Sequence, residues 1–162
     1  ISARNAHFTS TSPGKLLEIR GQEFLDLDQA VISSQGAITI SSAANITAKS
    51  VSMANSGWNN KIEIISSSGQ IDLSSGTGDG MPVTNIAGGD NVHIKAHQDI
   101  YIEATEISAS IGWAKELRFE STGSGRRLWV ANAILAGKSI IAQNLQVEGT
   151  PDPASGNIVP EG

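Results

Sequence analysis

The sequence predicts an all-β chain wound as a right-handed parallel β-helix, a solenoid of about five to six coils with three short strands each. Three observations predict it. Aliphatic residues recur in i, i+2 pairs along the whole chain, successive pairs keep a nearly constant spacing, and hairpin dipeptides are almost absent.

The i, i+2 spacing places both members of a pair on one face of a strand. A first series runs Leu17/Ile19, Ile38/Ile40, Ile62/Ile64, Val92/Ile94 and Leu117/Phe119. A second follows it as Leu25/Leu27, Ile46/Ala48, Ile71/Leu73, Ile100/Ile102 and Leu128/Val130, at offsets of 8, 8, 9, 8 and 11 residues. A weaker third set comprises Ile32, Val51/Met53, Ile107/Ala109 and Ile134. The first series restarts after 21, 24, 30 and 25 residues, and Ile140 followed by Leu145/Val147 reads as a partial final row. A β-sandwich also shows short alternating strands with regular turns and is the competing architecture. Constant pair spacing with variable restart length favours the solenoid and predicts that insertions collect at one corner. Asp79-Gly80 is the only Asn-Gly or Asp-Gly dipeptide, and it lies in the longest insertion. No single coil can bury its pair alone, whereas stacked coils about 4.8 Å apart make a continuous narrow core and leave open edges at both ends.

Composition agrees. The 162 residues are 39% hydrophobic and 17% charged, with 20 Ile, 21 Ser, 18 Ala and 17 Gly against only 4% aromatics. That mixture suits short strands with tight turns and argues against a helical bundle. A net charge of −5 argues against a broad nucleic-acid-binding face. The absence of Cys excludes disulfides, thiolate zinc sites and a cysteine nucleophile. No signal peptide is legible, and no apolar run approaches the roughly 18–20 residues of a membrane span. Because the first residue is Ile1, the sequence is read as a segment of something larger. Residues 1–149 are expected to form the solenoid. Residues 150–162 carry three of the five prolines and are expected as an extended tail or linker, able to shield one end.

The stretch Ala87-Gly-Gly-Asp-Asn-Val-His-Ile-Lys-Ala-His-Gln-Asp-Ile-Tyr-Ile-Glu-Ala104 resembles the repeats of filamentous haemagglutinins and related large secreted adhesins. Gly36-Ala-Ile-Thr-Ile-Ser41 and Gly69-Gln-Ile-Asp-Leu-Ser74 are similar to partial copies, although His97 stands where that pattern commonly has Gly. Lys115-Glu-Leu-Arg-Phe-Glu-Ser121 more faintly resembles strand rows of the sarcoglycan ectodomains, whose Cys-rich terminal region has no counterpart here. Both resemblances imply an extracellular β-helix that serves structure and adhesion.

β-Helices also carry polysaccharide lyases and hydrolases, whose chemistry needs acidic residues clustered on one coil face. No Asp-Asp pair or Gly-His-Gly motif occurs, and Arg126-Arg127 has no acidic neighbour in its own row. Asp99, Glu103 and Glu106 lie close in sequence, with Asp99 and Glu103 expected to face solvent beside Tyr101. His93 and His97 have the spacing of zinc ligands on a helix, but a strand and a turn do not align them. Asp79 and Asp90 sit in Gly-rich turns of the kind that can offer oxygens to calcium, yet neither matches a calcium-loop pattern. Asn45-Ile-Thr47 is a glycosylation sequon whose Asn45 is expected to be exposed. No metal or other cofactor is expected.

Tryptophan carries the clearest binding signal. Trp58 and Trp113 both occur as Gly-Trp, each four residues before a first-series strand. They should occupy one corner two coils apart, hence about 10 Å along the axis, with Gly88 in the matching place between them. Trp129 alternates with Leu128 and Val130 and should face outward near Arg126 and Arg127. Flat exposed rings suit sugar stacking or a protein partner; the competing reading folds them back over the corner insertions. The expectation is therefore a non-catalytic, adhesive segment of an extracellular or cell-surface fibre. It would bind a protein or glycan partner through Trp58, Trp113 and Trp129, with end-to-end self-association as a further possibility. The alternative is a carbohydrate-active β-helix enzyme or a subunit of an end-to-end assembly.

Overall fold

The computed structural model describes residues 1–58, 60–75 and 83–162. Among them every regular element is a strand, and every strand pairing is parallel. Three sheets of 6, 7 and 6 strands form the sides of a column of about five turns, because, apart from the last strand, pairing is always between strands three apart in the chain.

Sheet I contains β1 (His7–Ser10), β4 (Val31–Ser34), β7 (Ser52–Asn55), β10 (Thr84–Gly88), β13 (Thr105–Ala109) and β16 (Ile134–Ala136). Sheet II contains β2 (Leu17–Gly21), β5 (Ile38–Ser42), β8 (Lys61–Ser66), β11 (Asn91–Ala96), β14 (Glu116–Ser121), β17 (Ser139–Gln143) and β19 (Val159–Glu161). Sheet III contains β3 (Leu25–Asp26), β6 (Ile46–Thr47), β9 (Ile71–Asp72), β12 (Ile100–Glu103), β15 (Arg126–Ala131) and β18 (Leu145–Thr150). The first aliphatic series lies on sheet II, with Leu17, Ile38, Ile62, Val92, Leu117 and Ile140 superposed in one ladder. The second series lies on sheet III in the same manner. A sandwich would have paired neighbours antiparallel, so the parallel β-helix is the architecture.

From β5 to β14 these inward aliphatics are at most 2% exposed. Each such side chain contributes about 1.5–3 kcal/mol of burial relative to exposure. Phe119 is the largest of them, and its two ladder neighbours are Ile94 and the small Ala142, so one winding's bulk is offset by the next winding's lack of it. The third series follows on sheet I with one correction. Leu135, not Ile134, continues the inward ladder from Ile107, and Ile134 lies opposite the outward Glu106. Two adjacent aliphatics leave the period-2 pattern ambiguous, and pairing with β13 selects the parity.

Corners are built from polar side chains turned inward. Ser42 and Ser66 stack at the end of sheet II and Ser121 follows beyond Ala96, and the three hydroxyls donate to the carbonyls of Glu23, Ala44 and His97. The turn from sheet III to sheet I is sharper. In each of five windings a single residue there adopts the left-handed conformation: Asn5, Gln29, Ser50, Ala104 and Asn132, with φ from 48° to 61°. Asn5, Gln29 and Ala104 donate their N–H to Asp28, Lys49 and Ala131, each the residue just before the next winding's left-handed position. Ser50 meets the winding that carries the long insertion, and there the Thr84 hydroxyl accepts its N–H at 2.7 Å in place of a carbonyl.

Insertions do not collect at one corner as expected. The segment 73–83 interrupts the III–I corner, while segments 11–16, 56–60 and 110–115 lengthen the I–II corner. Asp79-Gly80 lies outside the described residues.

The proline-bearing segment 150–162 winds on as a partial further turn. Asp152 and Gly156 donate N–H groups to the carbonyls of Ala133 and Leu135, and β19 then pairs with β17. Asn144 donates to the Glu161 carbonyl at 2.8 Å, so Glu161 faces β17 and the adjacent Pro160 faces the open edge. Proline has no N–H to offer a further strand, which is why it is tolerated there and blunts that edge. At the opposite end the first winding is less covered: Phe8, Leu17 and Ile19 are only partly buried.

Two substitutions test this account. Phe119→Ala should destabilise the chain by about 3–5 kcal/mol, read as a lowered urea midpoint, because Ala142 and Ile94 cannot fill the space. Ala104→Gly should raise stability by about 0.5–1 kcal/mol, read as a higher urea midpoint, since glycine removes the left-handed Cβ strain at a modest unfolded-state cost.

Candidate functional site

The I–II corner is where the column carries its largest exposed rings. Trp58 follows β7 and Trp113 follows β13, so their windings are separated by the one that turns from β10 to β11. That middle corner is minimal, since only Gly89 and Asp90 separate the two strands. Gly89 donates to the Asn55 side chain at 2.6 Å, and a Cβ on it would lie 2.6 Å from the Gly57 carbonyl oxygen. Only glycine permits so close a passage between windings.

Asp90 then ties the upper loop down. Its carboxylate accepts the Ala114 N–H at 2.7 Å, and its carbonyl accepts the Glu116 N–H at 3.1 Å. The loops bearing the two tryptophans thus project on either side of a corner with no bulky side chain.

The rings meet. Trp58 and Trp113 are 66% and 78% exposed, yet their centroids are 6.2 Å apart at an interplanar angle of 59°. The expected spacing of about 10 Å described the backbones two windings apart. The side chains close that distance across Gly88-Gly89, in the tilted range that aromatic pairs prefer. The pair forms one continuous apolar ridge instead of two separate rings.

Trp129 sits elsewhere, on the outer face of sheet III. Leu128 and Val130 point inward at 0% exposure, and the indole between them is 39% exposed. Its register partners are Tyr101 in the winding before and Glu148 in the winding after. The three tryptophans are therefore not one site; the structure brings together Trp58 and Trp113 and leaves Trp129 with Tyr101. The Tyr101–Trp129 partnership was legible in principle, since both residues sit between the members of a second-series pair.

The charged residues singled out in the sequence are engaged with one another across windings. Arg127 reaches Asp99 in the winding before at 3.3 Å and Glu148 in the winding after at 3.5 Å. The acids that its own row lacks are supplied by the neighbouring coils. Asp99 also accepts the Arg127 backbone N–H at 2.9 Å and the Tyr101 hydroxyl at 3.3 Å. Burial pushes the Asp99 carboxyl up, but these bonds and the guanidinium charge outweigh it and hold the carboxyl below its ordinary value. Asp26 behaves alike: burial raises it, while hydrogen bonds from Arg4 and the Asp28 amide lower it further.

His93 faces Glu120 at 3.0 Å and His97 faces Thr122 at 3.0 Å, so the two imidazoles take different partners. Among the described residues no group of three or more His, Asp or Glu side chains is arranged to hold a metal ion. Asp79 lies outside those residues. Asn45 is exposed, and its side-chain oxygen accepts the Gln70 N–H at 3.1 Å.

Comparison with protein-family models, with curated proteins and with solved structures finds no match to this chain.

The lowered carboxyls set an acid limit. Because Asp26 and Asp99 titrate below their unfolded value near pH 4, their contribution is fully present above that pH and is lost as pH falls through the folded values. Urea midpoints should therefore drop below about pH 4, and Asp26→Asn with Asp99→Asn should flatten that drop while lowering stability at neutral pH.

Proposed function

We propose that this chain is a non-catalytic segment of an extracellular or cell-surface β-helical fibre, a stiff column that presents its I–II corner to a protein or glycan partner. One observation carries the reading: two highly exposed indoles in mutual contact on a corner whose middle winding turns through only Gly89 and Asp90. Exposed aromatic area of this kind is favourable to bury, and a ridge fixed by the backbone ladders loses little entropy when a partner covers it.

The state of the carboxylates supports the same reading. Asp99 is committed to Arg127 and Asp90 to the Ala114 amide, so neither is free as a general acid or base.

The test is the double variant Trp58→Ala/Trp113→Ala. Its far-ultraviolet circular dichroism should remain β-rich, while retention on cell surfaces and on immobilised glycans should fall by at least about tenfold. Retention equal to that of the unaltered chain would overturn the reading.

A further inference from the structure

The outer ladder of sheet III carries a second aromatic surface that shares no residue with the corner pair. Thr47, Asp72, Tyr101, Trp129 and Glu148 follow one another in register, one per winding. With windings about 4.8 Å apart, Tyr101 and Trp129 make an aromatic strip of two rings one winding spacing apart, parallel to the column axis. An open groove runs over this strip, and Lys49, Asp72, Ser75 and Glu103 complete its lining.

The groove's polar groups are only partly paired. Arg127, Asp99 and Glu148 form a chain of ion pairs along one side, and Lys49 is 3.3 Å from Asp72. Among the described residues, the Trp129 indole N–H and the Glu103 carboxylate have no hydrogen-bonding or ionic partner. A donor, a two-oxygen acceptor and a half-exposed ring thus border the same groove.

We infer that this groove binds a neutral oligosaccharide. The C–H face of a pyranose ring lies on the Trp129 indole with Tyr101 beside it, and the sugar's hydroxyls donate to Glu103 and Asp72 and accept from Lys49. Strip length and spacing suit consecutive sugar rings lying along the axis. One positive and two negative side chains leave the groove net negative, which disfavours uronate or sulfated chains. A peptide adding as a strand would need a free sheet edge, and β9, β12 and β15 each have both neighbours in place. The inference gives the glycan option of the proposed function a specific location and ligand class, but it does not depend on the corner pair.

The experiment is titration calorimetry on the full chain with cellohexaose, chitohexaose and mannohexaose, and with polygalacturonate as the anionic comparison. At least one neutral hexamer should bind, and polygalacturonate should not. Trp129→Ala and, separately, Glu103→Gln should each weaken binding about tenfold or more. Both side chains point outward, and unchanged circular dichroism would show that the column persists. Binding that survives Trp129→Ala but is lost in Trp58→Ala/Trp113→Ala would overturn the groove and leave the corner reading standing. Failure of every neutral hexamer to bind, or preference for polygalacturonate, would overturn the inference outright.

Discussion

The register between successive windings is the constraint on which the rest of the molecule depends. Apart from β19, which pairs with β17, each strand bonds only to the third strand before or after it, so the chain's path is a stack of nearly identical turns. Inward residues meet their equivalents about one winding apart, and a slip of one residue would turn an entire strand's aliphatic set to solvent. Leu17, Ile38, Ile62, Val92, Leu117 and Ile140 are therefore both the core and the device that selects the register. Phe119 shows how narrow the tolerance is, since the extra volume in its layer is matched by Ala142 in the next.

Corners solve a different problem. A turning chain leaves backbone groups unpaired close to a dry interior, and an unpaired buried group is costly. Inward serines answer this at the II–III corner, and a single left-handed residue answers it at the III–I corner. Both solutions bond a corner to the winding beside it. The I–II corner can nonetheless lengthen, as at 56–60 and 110–115, without disturbing the ladders, because the strands on either side are held by neighbours.

The outer faces carry no such obligation, and that freedom is where the exposed aromatic residues stand. Trp58 and Trp113 stand on lengthened corners and touch because glycine occupies the winding between them. Tyr101 and Trp129 sit on a flat face and are aligned by register alone. In each case the rigidity comes from the backbone ladders beneath the rings, so the aromatic surfaces are held in place by the column itself.

By itself the sequence determined the winding: alternation, pair spacing and small-residue corners specify inward strands in parallel succession, and Ile38/Ile40, Ile62/Ile64 and Ile100/Ile102 all occupy the places that reading assigns them. What only the tertiary structure decided are matters of parity, partner and side-chain reach. Ile134 and Leu135 are equally apolar, and β13 alone chooses between them. Asn5, Gln29, Ser50, Ala104 and Asn132 share a conformation but only the first and last share a residue type, so no single composition signal marks that turn. The proline-bearing end looked like a tail because prolines break ladders, yet alternate residues of an edge strand face outward and can be proline without loss. Periodicity is encoded within a strand, whereas contacts between windings depend on the summed length of every intervening corner.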